Sequence, residues 1–83
     1  MIVSIEISLY PLDKNYSVTI RDFIDRMNNQ KGIQMKVNEM STFLYGEYDV
    51  VMAALTHEIK ASFTQDGVKI AVLKLVNLDM TEQ

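Results

Sequence analysis

Ser4, Glu6, Ser8 and Tyr10 occupy every second position near the start of this 83-residue chain, with Val3, Ile5, Ile7 and Leu9 between them. Successive side chains of an extended strand point to opposite faces. The alternation therefore predicts a half-buried strand, Ile2 to Leu12, with an apolar side and a side that carries a carboxylate and hydroxyls. Mid-strand positions favour Thr or Val over Ser and Glu. A sheet face that keeps small polar groups beside aromatics is suited to holding a ligand or another copy of the chain.

The elements that must position this face follow from the rest of the pattern. Pro11 ends the first strand because it lacks an amide donor and restricts the residue before it. After a polar loop, Asp13 to Tyr16, Ser17 reads as an N-cap. Val18, Ile20, Phe23, Ile24 and Met27 then recur at helical spacing, with Arg21, Asp22, Asp25, Arg26 and Asn28 opposite. Lys31 suits the last turn of that helix, and Gly32 the left-handed position just past it. Ile33 to Gly46 alternates again and is too long for one ordinary strand, so it reads as two strands joined near Asn38-Glu39-Met40.

Gly46 is expected to open a second helix, with Glu47 and Asp49 near the positive end of its dipole. Tyr48, Val51, Met52, Leu55, Ile59 and Phe63 form the apolar stripe of this helix, and Asp66-Gly67 closes it. Val68 to Leu78 is a final strand: Ile70, Val72, Lys74 and Val76 share one side, and Ala71, Leu73 and Leu75 the other. The polar tail, Asp79 to Gln83, is expected to fray. The order β-α-β-β-α-β consumes the chain as one domain, residues 1–83. With short, right-handed connections it predicts a ferredoxin-like α+β sandwich: a four-stranded antiparallel sheet with both helices on one face.

Helices on one face leave the other sheet face to water or a partner. Glu6, Ser8 and Tyr10 should point there. First and last strands are neighbours in this fold, so Lys74 comes within range of Glu6, and Phe43 and Tyr45 add aromatic surface from the third strand. Such a patch is large for a small monomer and reads as an oligomer contact with a polar pocket set into it. A domain of this size is often marginal alone, which points the same way. Plainer readings stand beside these. Glu6 with Lys74 is equally a cross-strand ion pair worth a few tenths of a kcal/mol. Tyr10 and Tyr45 suit packing and interfaces better than ligand contact. Thr42 could be a buried hydroxyl satisfied by backbone. His57 falls on the solvated face of the second helix, where a lone His is usually inert.

Composition excludes several classes. Hydrophobic residues make up 48% of the chain, too many for a disordered segment. A net charge of −3 with only 8 scattered Lys and Arg does not suit nucleic acid. Without cysteine there is no disulfide, thiolate nucleophile or Cys-based metal site. No secretory leader and no apolar run of the ~20 residues a bilayer needs can be read, so a cytoplasmic protein without membrane partners is the expectation. Nucleophile–base spacing, a G-x-S-x-G elbow and a metal-binding His pair are missing from the sequence, which argues against an enzyme. The loop Pro11 to Tyr16 has neither the Arg nor the Gly of a phosphate cradle, and the aromatic, basic motif of RNA-binding sheets is missing too.

Two segments, Ile7-Ser8-Leu9-Tyr10-Pro11-Leu12 and Met40-Ser41-Thr42-Phe43-Leu44-Tyr45-Gly46-Glu47-Tyr48-Asp49, resemble the thiamine-binding protein family, and the likeness extends across almost the whole chain. Members of that family are small single domains of ferredoxin-like fold. The resemblance implies a homodimer or homotetramer that binds thiamine or its hydroxymethylpyrimidine portion without catalysis and without a cofactor. Glu39-Met40-Ser41-Thr42 stands where the family commonly has Pro-Met-Gly-Thr, which changes the turn. An aminopyrimidine offers a flat ring, an exocyclic amine and acceptor nitrogens. On this resemblance Glu6 would accept from the amine, Ser8, Ser41 or Thr42 would serve a ring nitrogen, and Tyr45 would stack. Tyr10 and Lys74 complete the candidate set. A carboxylate also suits the thiazolium cation, whereas a diphosphate would find only Lys74 or Lys36. The alternative is a structural or regulatory protein whose open face merely assembles copies of itself.

Overall fold

The computed structural model describes residues 1–82. Ten-residue β1 (Ile2–Pro11) is followed by α1 (Tyr16–Asn28), β2 (Ile33–Val37), β3 (Thr42–Glu47), α2 (Tyr48–Phe63) and β4 (Lys69–Val76), and the chain closes on a short 3-10 helix, Met80–Glu82. The strands form one antiparallel sheet in the order β2-β3-β1-β4. This is the expected ferredoxin-like α+β fold, with α1 lying over β1 and α2 over β3.

Alternation in β1 divides the faces as the residue types demand. Val3, Ile5, Ile7 and Leu9 are buried, with Leu44 of β3, against Phe23 and Met27 of α1 and Val51 and Leu55 of α2. Glu6 lies opposite Phe43 on one side and Lys74 on the other, and Ser4 lies opposite Tyr45 and Val76. The β2–β3 turn is built by Asn38. Its Oδ1 accepts from the Met40 and Ser41 amides at 2.9 and 2.8 Å, and its own N–H donates to the Ser41 carbonyl at 3.0 Å. A short Asx-type turn thus replaces the missing Asn-Gly signal.

Several local expectations need correction. Helix α1 starts at Tyr16 after Asn15, and Ser17 is not its cap. Asp13 Oδ1 accepts the Asn15 N–H at 2.9 Å and turns the chain early, so the Asn15 carbonyl takes the first helical bonds from Val18 and Thr19, both at 3.1 Å. Val18 is exposed and Thr19 buried as a result. At the other end α1 stops at Asn28. The amides of Asn29 and Gln30 and both of their side chains bond its last-turn carbonyls. Gly32 keeps its positive φ of 79°, but in the turn entering β2, and Arg26 replaces Lys31 as the last-turn cation.

Gly46 lies within β3 and does not open α2. A Cβ there would sit 2.6 Å from the Gly32 carbonyl oxygen and 2.9 Å from Val51 Cγ2, so only glycine lets the strand pass so close. Helix α2 buries Val51, Leu55, Glu58 and Ser62, while Tyr48 and Phe63 are exposed. The last strand is shorter than Val68 to Leu78. The tail beyond it docks instead of fraying: Ser4 Oγ donates to the Leu78 carbonyl at 2.7 Å and accepts from the Met80 amide at 2.9 Å. That bracing buries Ser4, a residue of the open face. Gln83 lies outside the described residues.

Candidate functional site

The open sheet face holds a groove of about 490 Å³ between β3, β1 and β4, closed at one end by Met80 of the docked tail. Its floor is Glu6 and its walls include Phe43, Tyr45, Lys74 and Val76. The volume falls within the ~300–1,000 Å³ range of small-ligand sites. Phe43 and Tyr45, two positions apart on β3, point to the same side, and their rings lie parallel at 6.5 Å with 9° between planes. Together they offer one flat apolar wall.

Among the described residues Glu6 is the one carboxylate in the groove lining, and its two oxygens are used differently. Ser41 Oγ, brought in by the Asn38 turn, donates to Oε2 at 2.9 Å. Oε1 faces Lys74 Nζ at 3.7 Å, a loose contact to an ammonium whose side chain is 82% exposed. Water screens such a pair, so it is worth a few tenths of a kcal/mol. Chemically the carboxylate is held in place by Ser41 yet keeps Oε1 free to accept a hydrogen bond from a ligand amine, with Lys74 able to swing aside on its flexible stem.

The seven residues singled out from the sequence therefore divide. Glu6, Ser41, Tyr45 and Lys74 come together around or beside the groove. Ser8 lies next to them, but its hydroxyl donates to the Met40 carbonyl at 3.3 Å. Thr42 is buried on the helix side, where it lines a small cavity of about 80 Å³ beneath α1 with Ile7, Leu9, Ile20 and Phe23. Tyr10 is four strand positions past Glu6, roughly 13 Å away along β1, opposite Ile70 and on the side away from Tyr45. One small ligand cannot reach both Tyr10 and Tyr45.

Two contributors to the groove were not among those seven residues. Phe43 was legible as aromatic surface, and its register opposite Glu6 makes it a wall of the groove. Met80 and the Ser4 brace carried no sequence signal, because the contact spans 76 positions of chain. Among the described residues no cluster of His, Cys, Asp or Glu could hold a metal ion, and no helix is long and apolar enough to cross a membrane.

Fold and groove together define a small ferredoxin-like domain that carries a polar-floored, aromatic-walled groove on its uncovered sheet face. No family model matches the sequence, and no curated protein does. Solved structures do match. A protein from Streptococcus pneumoniae superposes with a TM-score of 0.87 at 23% identity, covering 98% of this chain and 91% of that one. A candidate thiamine biosynthesis/salvage protein from Thermotoga maritima follows with 0.86 at 15% identity, covering 99% and 94%. A domain of unknown function from Bacillus cereus matches with 0.78 at 20% identity, covering 96% and 79%. At these identities the likeness establishes the shared fold.

Proposed function

We propose that this chain is a non-enzymatic, cytoplasmic small-molecule-binding protein that acts as a homo-oligomer and takes thiamine or its hydroxymethylpyrimidine portion in the open-face groove. The observation that carries the reading is Glu6, whose Oε2 is held by Ser41 while Oε1 is left toward the groove beside the stacked Phe43–Tyr45 wall. A planar aminopyrimidine would lay its ring on that wall and donate its amine to Oε1, and a thiazolium would be drawn by the same carboxylate. The Thermotoga maritima neighbour, with its link to thiamine biosynthesis or salvage, supports the choice of ligand. Among the described residues Lys74 is the single cation lining the groove, so the free vitamin or its pyrimidine suits it better than the diphosphate.

Calorimetric titration with thiamine and with hydroxymethylpyrimidine tests this. Glu6→Gln removes a charge-assisted bond of about 1.5–3 kcal/mol, a loss of roughly 10- to 150-fold in affinity. Absence of heat with either compound at millimolar concentration refutes the reading. The competing reading, a self-assembling structural or regulatory protein, is favoured by one feature, the exposed apolar residues of β4. It predicts that Phe43→Asp disrupts assembly while Glu6→Gln changes nothing.

A further inference from the structure

Strand β4 is an edge of the sheet, and it is apolar on both faces. Ile70, Val72 and Val76 on the open face, and Leu73 and Leu75 on the helix side, are all between 40% and 49% exposed. The helices leave most of β4 uncovered, with α1 on β1 and α2 on β3, and only Ala71 of its apolar residues packs against the core. The opposite edge, β2, is only five residues long and carries Gln34 and Lys36.

The backbone phase of β4 follows from one bond. The Leu12 amide donates to the Val68 carbonyl at 2.9 Å, in the same register that pairs Pro11 with Lys69 and Tyr10 with Ile70. In an antiparallel ladder both backbone groups of a residue point the same way and alternate along the strand. The even-numbered residues therefore bond β1, and Lys69, Ala71, Leu73 and Leu75 turn their N–H and C=O groups to the free edge. Proteins usually guard such an edge with lysine or proline. Here Lys69 is tied to its own chain, and Lys74 rises from the open face and not along the edge. Lys69 Nζ donates to the carbonyls of Gln65, Asp66 and Gly67 at 3.1, 2.8 and 3.2 Å, and Lys74 faces Glu6.

We propose that the β4 edge pairs antiparallel with β4 of a second copy, about a two-fold axis through Val72, to give one continuous eight-stranded sheet. This deepens the homo-oligomer part of the proposed function by naming its interface. The strand is complementary to itself in that register. Ala71 meets Leu73 of the other copy and Lys69 meets Leu75, so all four outward-facing residues are bonded, making about eight backbone hydrogen bonds. On the open face Val72 meets Val72 and Val68 meets Val76. The two Lys74 groups lie four positions apart, about 14 Å, beyond the ~8 Å screening length at physiological salt. An axis through Leu73 would bring them within about 8 Å of each other and leave Lys69 opposite a residue outside the strand. Each Lys74 then lies opposite Ile70 of the other copy, which extends the β4 wall of the groove, so the groove is incomplete in a lone chain.

Leu73→Pro tests this, because the amide it removes faces the free edge and not β1. Sedimentation equilibrium at micromolar concentration should give wild-type protein at least twice the 9.5 kDa chain mass, halved by the substitution with the far-ultraviolet circular dichroism unchanged. Amide exchange should be slow at Ala71, Leu73 and Leu75 in wild type and accelerate at Ala71 and Leu75 in the variant. Should Leu73→Pro unfold the chain, Leu73→Lys supplies the same mass readout with the backbone intact. A wild-type monomer overturns both the interface and the homo-oligomer reading. An oligomer whose mass survives a folded Leu73→Pro or Leu73→Lys overturns the edge pairing alone. Neither outcome depends on whether thiamine binds.

Discussion

Replacing Glu58 by alanine should cost this small domain about 3 kcal/mol, a large share of its stability. Glu58 sits on the inner side of α2 with its side chain only 8% exposed. Its Oε1 accepts the Arg26 Nε–H at 2.7 Å and its Oε2 the Gln30 side-chain Nε2–H at 3.1 Å. The same guanidinium donates through Nη2 to Ser62 Oγ at 2.6 Å and to the Glu58 carbonyl at 3.2 Å, so one ion pair and its neutral partners tie α1 to α2. Truncation leaves a mostly buried guanidinium without its counter-charge. Breaking a buried pair costs about 3–5 kcal/mol, and the 28% exposure of the Arg26 side chain, which lets water reach it, places this case at the low end. A domain of this length has roughly 4–12 kcal/mol in all. The corresponding fall in Tm is roughly 12–24 °C. Urea unfolding followed by circular dichroism at matched protein concentration reads the change, since self-association would otherwise shift the midpoint. Lys60→Ala, an exposed position on the same helix, should stay within about 0.5 kcal/mol. The double replacement Arg26→Met with Glu58→Leu should recover most of the loss, because apolar residues of similar size need no counter-charge. A Glu58→Ala cost below 1 kcal/mol would refute the reasoning.

Gly46→Ala should destabilise by about 1–3 kcal/mol in the same urea assay, because the new methyl meets a backbone carbonyl that cannot yield cheaply. Ser4→Ala removes both bonds of the tail brace; a loss of about 1–2 kcal/mol is expected, with faster amide exchange at Met80 and easier proteolysis after Leu78. Lys74→Ala should change stability by less than 0.5 kcal/mol, since its ion pair is exposed. A larger effect by thermal unfolding would mean that Glu6 depends on it more than the 3.7 Å geometry implies.

How much of this could be read from the residues differs by element. The alternation in β1, the helical stripe around Phe23 and Met27, and the order of the six main elements were all visible, because each is a pattern carried by neighbours a few positions apart. Element ends were less legible. Asn15 displaces Ser17 as the cap of α1, two residues earlier, because Asp13 closes an Asx turn onto its amide. Gly46 looks like a helix opener in sequence, and only the approach of Gly32 shows why a glycine is needed inside the strand. Arg26 reads as a solvated helix charge, since nothing in α1 alone reveals that it faces Glu58 of α2 across 32 positions of chain.

The candidate site divides along the same line. Residue types and alternation alone put Glu6, Tyr45 and Lys74 on one sheet face, because side-chain direction in a strand depends only on parity. Their closeness is a matter of register, and register is set by turns and packing far along the chain. Tertiary structure therefore decided that Ser41 would grip Glu6, that Thr42 would fall beneath α1, and that Tyr10 would stand apart. It also decided that the tail would close the groove through Ser4, and that β4 would emerge from under both helices with its edge free.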